Sequence, residues 1–527
     1  MLQEKSAKSI NIEVNFMNIK NLNLSALLVA SSLWSCNTGQ LSEKPDLQPN
    51  EAIQLENMDT TVSAREDFFQ YVNGGWLKSN EIPKEENSWG VIKEVVNRNN
   101  LILLEVLNEA SESEVYKQGS DERKAANFYQ IGMDSLLAEQ HGIEPLKPYL
   151  EKIAAVKDKN ELQKIVAEVQ TLGVTPFFNF FIDQDLKQSE KQVFYLYQGG
   201  LGMPNREYYT KDDQKSKDIR NEYINHASRM FELIGIPEKE AKANAQVVMK
   251  IENKLALASM TPVQLRDWEA QNNKKSLKEL NQLSPSINWP SHFSNLGIPN
   301  LDALIVAQPN FIKEVEKVIK SSGIDDLKTY VQWRMIAGTA PYLHHELVKE
   351  SFRFNNTVIY GTEDMRPRWK RVLNKTDDAM CEALGKLYVA RAFPPEAKES
   401  ALKMVENIKE AFKERIEKLD WMSDSTKAQA LVKLAAFKVK IGYPDEWRDY
   451  SNLEVGKESY LQNVFSTNKF EHKRQLKKIG NPVDPNEWFM SPPTLNAYYN
   501  PSSNEIVFPA GILQPPLYDY QADAAVN

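Results

Sequence analysis

A chain of 527 residues is too long for one hydrophobic core, so two or three domains are expected. Apolar residues at 42% and charged residues at 26% describe an ordinary globular protein. The net charge of -8, with no basic cluster carrying interleaved aromatics, argues against a nucleic-acid partner. Two cysteines, Cys36 and Cys381, rule out a disulfide framework.

The first segment reads as targeting, not fold. Met17-Asn18-Ile19-Lys20 opens a short positive region, and Leu24 to Leu33 is an apolar stretch too short to span a bilayer comfortably. This is the layout of a secretory signal. Its end, Leu33-Trp34-Ser35-Cys36, resembles the lipobox of bacterial lipoproteins, in which the cysteine is lipidated. Trp34 departs from the small residue usual there. Glu4 and Glu13 are poor company for a signal, so residues 1–16 are read as an extension ahead of the true start at Met17. The signal then occupies 17–36. Residues 37–61, polar and carrying Pro45 and Pro49, are expected to be a tether. An uncleaved anchor and a buried helix with a free cysteine are the alternatives. The lipoprotein reading places the protein outside the cytoplasm, anchored to a bacterial envelope membrane by lipid chains that contribute ~0.8 kcal/mol per buried methylene.

Residues 62–440 read as mostly helical. A short aromatic helix around Phe68, Phe69 and Tyr71 is expected to stop at Asn73-Gly74, where glycine supplies a left-handed cap. From about Leu101 to Leu419 helical periodicity dominates. Leu402, Val405, Ile408, Phe412, Ile416 and Leu419 share one face, and such a stripe is expected to be core packing. A further helix is expected from Ser425 to about Val439, closed by Ile441-Gly442-Tyr443-Pro444. The glycine-dense loop from Gln198 to Tyr209 lacks the Gly-Lys-Ser/Thr ending of a phosphate loop. Arg266-Asp267 is a candidate for a structural ion pair at a turn.

After Gly442 the texture changes. Trp488-Phe489-Met490, Leu495 to Tyr499 and Glu505 to Phe508 are short, aromatic or β-branched, and bounded by proline and asparagine. These read as strands, so residues 441–527 are expected to begin a second, β-containing domain.

The residues do not assemble a reaction centre. A catalytic zinc site needs three protein ligands and an open position. The six histidines are His141, His226, His292, His344, His345 and His472. The best local candidate, His344-His345-Glu346, has Lys349 where a second ligand would stand, and adjacent histidines do not share a helix face. It reads as helix surface or a polar contact. Cys381, in Ala379-Met380-Cys381-Glu382-Ala383-Leu384, reads as a core thiol. No catalytic residue and no metal ligand can be assigned within the chain.

An ordered set of segments nevertheless carries a resemblance. They are Tyr71-Val72-Asn73-Gly74 with Trp76-Leu77, Gly200-Leu201-Gly202-Met203-Pro204 with Tyr208-Tyr209, Arg266-Asp267, Pro367-Arg368-Trp369, and Gly385 to Val389. Trp421-Met422 with Thr426-Lys427, Ile441 to Pro444, and Asn496 to Pro516 complete it. Together they resemble the neprilysin family of zinc metallopeptidases from about Asp67 to Asn527. The resemblance implies a mainly α protein: a large multi-helical lobe and the incomplete start of a thermolysin-like α+β catalytic lobe.

It also implies peptide substrates and a zinc cofactor whose bound water attacks the scissile carbonyl. In that family two histidines of H-E-x-x-H and a later glutamate hold the metal, and the motif's own glutamate is the general base. A later histidine steadies the oxyanion. All of those positions are expected beyond Asn527, so the chain is read as the front portion of a metalloendopeptidase, inactive alone. A naturally shortened peptide- or partner-binding lipoprotein, or a split gene with a separate catalytic chain, are the alternatives. Asn496 and Ala497 match the pair that holds the substrate backbone along an edge strand. Val507 and Phe508 are expected along the apolar side of the cleft. Asn87-Ser88-Trp89-Gly90 lacks the arginines with which some members grip a substrate carboxylate, which favours endopeptidase over carboxydipeptidase activity.

Overall fold

The computed structural model describes residues 54–298 and 300–527. Cys36, the signal segment and most of the expected tether lie outside those residues. The described part of the tether is docked: Leu55–Asn57 forms a 3-10 turn, and the buried Asp59 pairs with Lys78 at 2.7 Å.

Among the described residues the chain forms nineteen α-helices and two small sheets. Many helices begin where the sequence supplies an oxygen for the free N–H groups of the first turn. Ser120, Asp158 and Asp213 cap three of them. Ser276 and Glu279 form a reciprocal capping box on a fourth.

One sheet has the order β1-β2-β4-β3, with β1 Phe178–Asp185, β2 Gln188–Gln198, β3 Lys274–Ser276 and β4 Ala303–Val306. β1 and β2 form an antiparallel hairpin. The other has the order β5-β7-β6, with β5 Lys438–Gly442, β6 Tyr498–Asn500 and β7 Glu505–Pro509. β5 runs parallel to β7 and β6 antiparallel to it, which leaves β6 at an edge.

Two hydrophobic cores hold these elements. One runs from Leu146 to Phe354 and contains the four-stranded sheet. The other joins the early helices Val91–Glu112 and Asp121–Met133 to Arg368–Ala392, the three-stranded sheet and the segment around Leu513. Helix Tyr460–Leu476 serves both. It turns Leu461 and Phe465 to the first core and Tyr460 and Val464 to the second.

Several local expectations need correction. The first long helix runs Phe68–Ser79, straight through Gly74-Gly75. A Cβ on Gly74 would fall 2.5 Å from the Asp59 Cβ, and one on Gly75 would fall 2.3 Å from the Glu56 carbonyl. Glycine is there for close approach, not for a cap. The region read as mostly helical also contains β1 to β4, which were not singled out as strands. The apolar runs of β1, β2 and β4 are short and buried or half-buried, and periodicity alone does not separate such runs from helix. The helix expected to reach Val439 ends at Ala435, and Lys438–Gly442 is strand β5. Trp488-Phe489-Met490 is not a strand, and β6 begins only at Tyr498. Asp267 caps helix Trp268–Gln271 by accepting from the Ala270 N–H at 3.0 Å. Among the described residues it forms no ion pair with Arg266.

The glycine-dense loop after β2 is held by one buried acid. Glu252 is 0% exposed. It accepts from the Tyr209 hydroxyl at 2.5 Å, the Tyr223 hydroxyl at 2.9 Å, the Gly202 N–H at 3.1 Å and the Trp333 indole at 3.2 Å. Burial pushes its pKa up, while Arg334 and these donors pull it back. Arg334 in turn donates to the Leu201 carbonyl at 2.8 Å. Glu252→Ala strands the Tyr209 and Tyr223 hydroxyl donors in the core, the Trp333 indole keeping the Tyr223 oxygen at 2.9 Å, and is expected to destabilise the fold by about 3–5 kcal/mol. Denaturant unfolding followed by circular dichroism checks this, and an unchanged midpoint would contradict it.

Candidate functional site

Asn496 is placed by the chain on either side of it. The Pro492-Pro493 turn is seated between two glycines. A Cβ on Gly385 would meet Pro492 Cδ at 2.6 Å, and one on Gly511 would meet the Pro493 carbonyl at 2.2 Å. The Gly511 N–H donates to the Pro492 carbonyl at 2.7 Å. Its own carbonyl accepts from Asn99 Nδ2 at 3.1 Å, and Tyr388 donates to Asn99 Oδ1 at 3.0 Å. Ser491 Oγ donates to Asp377 Oδ2 at 2.9 Å. Behind β6 the buried pair Lys440–Glu505, 2.9 Å apart, ties β5 to β7.

From this base Asn496 emerges exposed and Ala497 half-buried, immediately before edge strand β6. Asn496 Oδ1 accepts from the Ala497 N–H at 2.9 Å, which leaves its amide N–H groups to donate elsewhere. Neither apolar residue expected along the cleft lines the cavity beside β6: Phe508 lines a second cavity behind the sheet, and Val507 lines neither. Val507 is 0% exposed and faces inward, because neighbours in a strand point to opposite faces.

Two cavities flank the three-stranded sheet. One, of about 760 Å³, lies between the β1–β2 hairpin and β6. On the hairpin wall Phe181 stacks on Tyr195, centroids 4.9 Å apart and planes 8° apart. On the opposite wall Phe489 meets Tyr498 edge-on at 6.0 Å. The Phe489 N–H donates to the Tyr498 hydroxyl at 3.2 Å. Trp268, 57% exposed, also lines the cavity. Gln184 Oε1 accepts from Ser503 Oγ at 3.2 Å and Asn500 Nδ2 at 3.4 Å, joining hairpin to β6–β7 turn. None of these residues was singled out from the sequence as lining a site. The available signal was the aromatic alternation along β1 and β2.

The other cavity, about 780 Å³, lies on the opposite face and is apolar. Helix Pro395–Glu417 contributes the stripe expected to be core. Val405 and Ile416 are buried as expected, whereas Ile408 is 58% exposed and Phe412 is 54% exposed, and all four line this cavity. Tyr499, Ile506 and Phe508 form its sheet side.

A polar cavity of about 520 Å³ adjoins Ser491 and Thr494. Burial pushes the Asp377 carboxyl up to about 7, with the Ser491 hydrogen bond opposing. Cys381 lies here, not in an apolar core: its sulfur is 3.5 Å from Arg448 Nη1 and 3.7 Å from the Tyr450 hydroxyl. Burial raises its pKa, which disfavours a reactive thiolate.

Among the described residues no three His, Cys, Asp or Glu side chains are grouped so as to hold a metal. The histidines are dispersed. His226 Nδ1 lies 2.8 Å from Glu350 Oε1 inside the first core. His292 is buried, which pushes it down to about 4. His472 Nε2 lies 2.8 Å from the Leu296 carbonyl. His344 precedes helix His345–Phe352, and the His345 backbone N–H donates to Glu139 at 2.6 Å. The described residues do not fit a zinc ion.

Comparison with known proteins places this geometry. The chain is 29% identical over 495 residues to mouse endothelin-converting enzyme 1, covering 90% of itself and 63% of that protein. It is 28% identical over 506 residues to Neprilysin-3 of Drosophila melanogaster, with 90% and 63% covered. It thus spans less than two thirds of the length of these relatives. The crystal structure of the zinc metalloprotease Zmp1 of Mycobacterium tuberculosis with an inhibitor superposes with a TM-score of 0.84 at 34% identity, covering 91% of this chain and 72% of that one. PepO from Lactobacillus rhamnosis, at 20% identity and a TM-score of 0.80, shares the fold, with 88% and 73% covered. Residues 64–444, and again 496–527, match peptidase family M13. The chain belongs to peptidase family M13, a family of zinc-dependent peptidases.

Proposed function

We propose that this chain supplies the helical lobe and the peptide-binding edge of a zinc metalloendopeptidase. The observation that carries the reading is the placement of Asn496 and Ala497 at the start of edge strand β6, beside an open cavity. An edge strand offers unpaired N–H and C=O groups, and an extended peptide can add to it by main-chain hydrogen bonds. The Asn496 amide would hold the substrate backbone at the head of that ladder.

The zinc ligands would come from polypeptide outside the described residues. The apolar cavity supports this. Ile408 and Phe412, which line it, are both more than half exposed, and an exposed apolar patch of this kind usually marks a seat for further protein. That covering segment could be continuous with this chain or a separate catalytic chain. On this reading the purified 527-residue polypeptide binds peptides without cleaving them. Incubating it with zinc and a quenched fluorescent peptide should give no chelator-sensitive hydrolysis. Such hydrolysis would sink the proposal.

We further propose export and lipid anchoring through Cys36. The support for this reading is the signal-like layout that ends in Leu33-Trp34-Ser35-Cys36; among the described residues no helix is long and apolar enough to cross a membrane. In cells fed radiolabelled palmitate the chain should take up label and pellet with membranes. Cys36→Ser should abolish both. Unchanged labelling of that variant would contradict the assignment.

A further inference from the structure

The aromatic cavity beside β6 has an unusual balance of groups. Its walls carry two pre-packed aromatic pairs, Phe181 with Tyr195 and Phe489 with Tyr498, and Trp268 adds a further exposed ring. Among the residues lining it, Asp183 is the one that carries a charge. Asp183 Oδ1 accepts from the Gln184 N–H at 2.8 Å. Its other oxygen takes no protein partner among the described residues.

The cations around it are engaged elsewhere. Lys478 is 2.5 Å from Glu487, and Lys274 is 2.9 Å from Asp185. A neutral guest would cover the Asp183 carboxylate with nothing to compensate it. A cationic guest would gain the carboxylate and the ring faces together. Lysine offers a point charge, whereas a guanidinium stacks flat on rings and presents a fork to a carboxylate.

We propose that this cavity is a specificity subsite that takes an arginine side chain of the bound peptide, stacked among Trp268, Phe489 and Tyr498 and paired with Asp183. The inference rests on the peptide-binding reading of Asn496 and β6, and adds a substrate class to it: extended peptides bearing arginine. A peptide added to β6 turns alternate side chains to one face, so one register suffices to point an arginine at the cavity.

The test uses the full chain and fluorescence anisotropy with two labelled peptides. One is Gly-Val-Arg-Val-Arg-Val-Gly. The other carries citrulline, a neutral isostere, in place of both arginines. The arginine peptide is expected to bind about tenfold more tightly, the effect of a charge-assisted pair on aromatic faces. Asp183→Asn should remove that preference and leave citrulline-peptide affinity unchanged. Asp183 is exposed, so the variant is expected to fold, and its unfolding midpoint checks this. An arginine preference that persists in Asp183→Asn reports only general attraction to an acidic chain and overturns the subsite. Equal binding of both peptides, each weakened by Asn496→Ala, overturns the subsite while the peptide-binding reading stands. Binding of neither peptide overturns both.

Discussion

One carboxylate without access to water fixes where the site can form. Glu252 gathers Tyr209, Tyr223, Trp333 and the Gly202 N–H, and so pins the loop that leaves β2 to three helices at once. A buried acid is costly unless its lone pairs are all used, and this geometry uses them. The consequence reaches further than the loop. With the end of β2 fixed, the hairpin projects in one direction, and Gln184 on β1 meets Asn500 and Ser503. The wall of the aromatic cavity is therefore set from the core of the helical lobe. The opposite wall is set from the second core, through Gly385, Gly511 and the Pro492-Pro493 turn.

The two faces of the small sheet do different work. β6 and the hairpin enclose a cavity with aromatic walls and one charge. Behind the sheet, Phe508, Ile506 and Tyr499 face an apolar cavity bordered by Ile408 and Phe412. Strand alternation produces both from one short sequence, because Tyr498 and Tyr499 must point to opposite sides. On the function proposed above, the first face takes a peptide and the second takes more protein. An M13 chain that spans 63% of the length of mouse endothelin-converting enzyme 1 carries both.

Much of the fold was legible because its signals are local. The mainly helical composition and the strands at Tyr498 and Glu505 follow from periodicity and turn residues. Landmark segments in order identified the family. What was not legible depends on partners distant in sequence. Gly74 looks like a helix stop until Asp59 is seen against it. The stripe through Ile408 and Phe412 looks like core because periodicity reports amphipathicity and not what covers it. Val507 and Phe508 were read together, yet only Phe508 lines a cavity. Asp183, Trp268 and Phe489 are unremarkable in sequence and meet only because the hairpin crosses to β6.

The central claim is that β6 receives an extended peptide along its free edge. Hydrogen–deuterium exchange of the full chain with and without a saturating peptide tests it most directly. The account predicts slowed exchange at Tyr498, Tyr499 and Asn500, with the first helical core unchanged. Protection confined to other segments, with β6 exchanging as in the free protein, would contradict it.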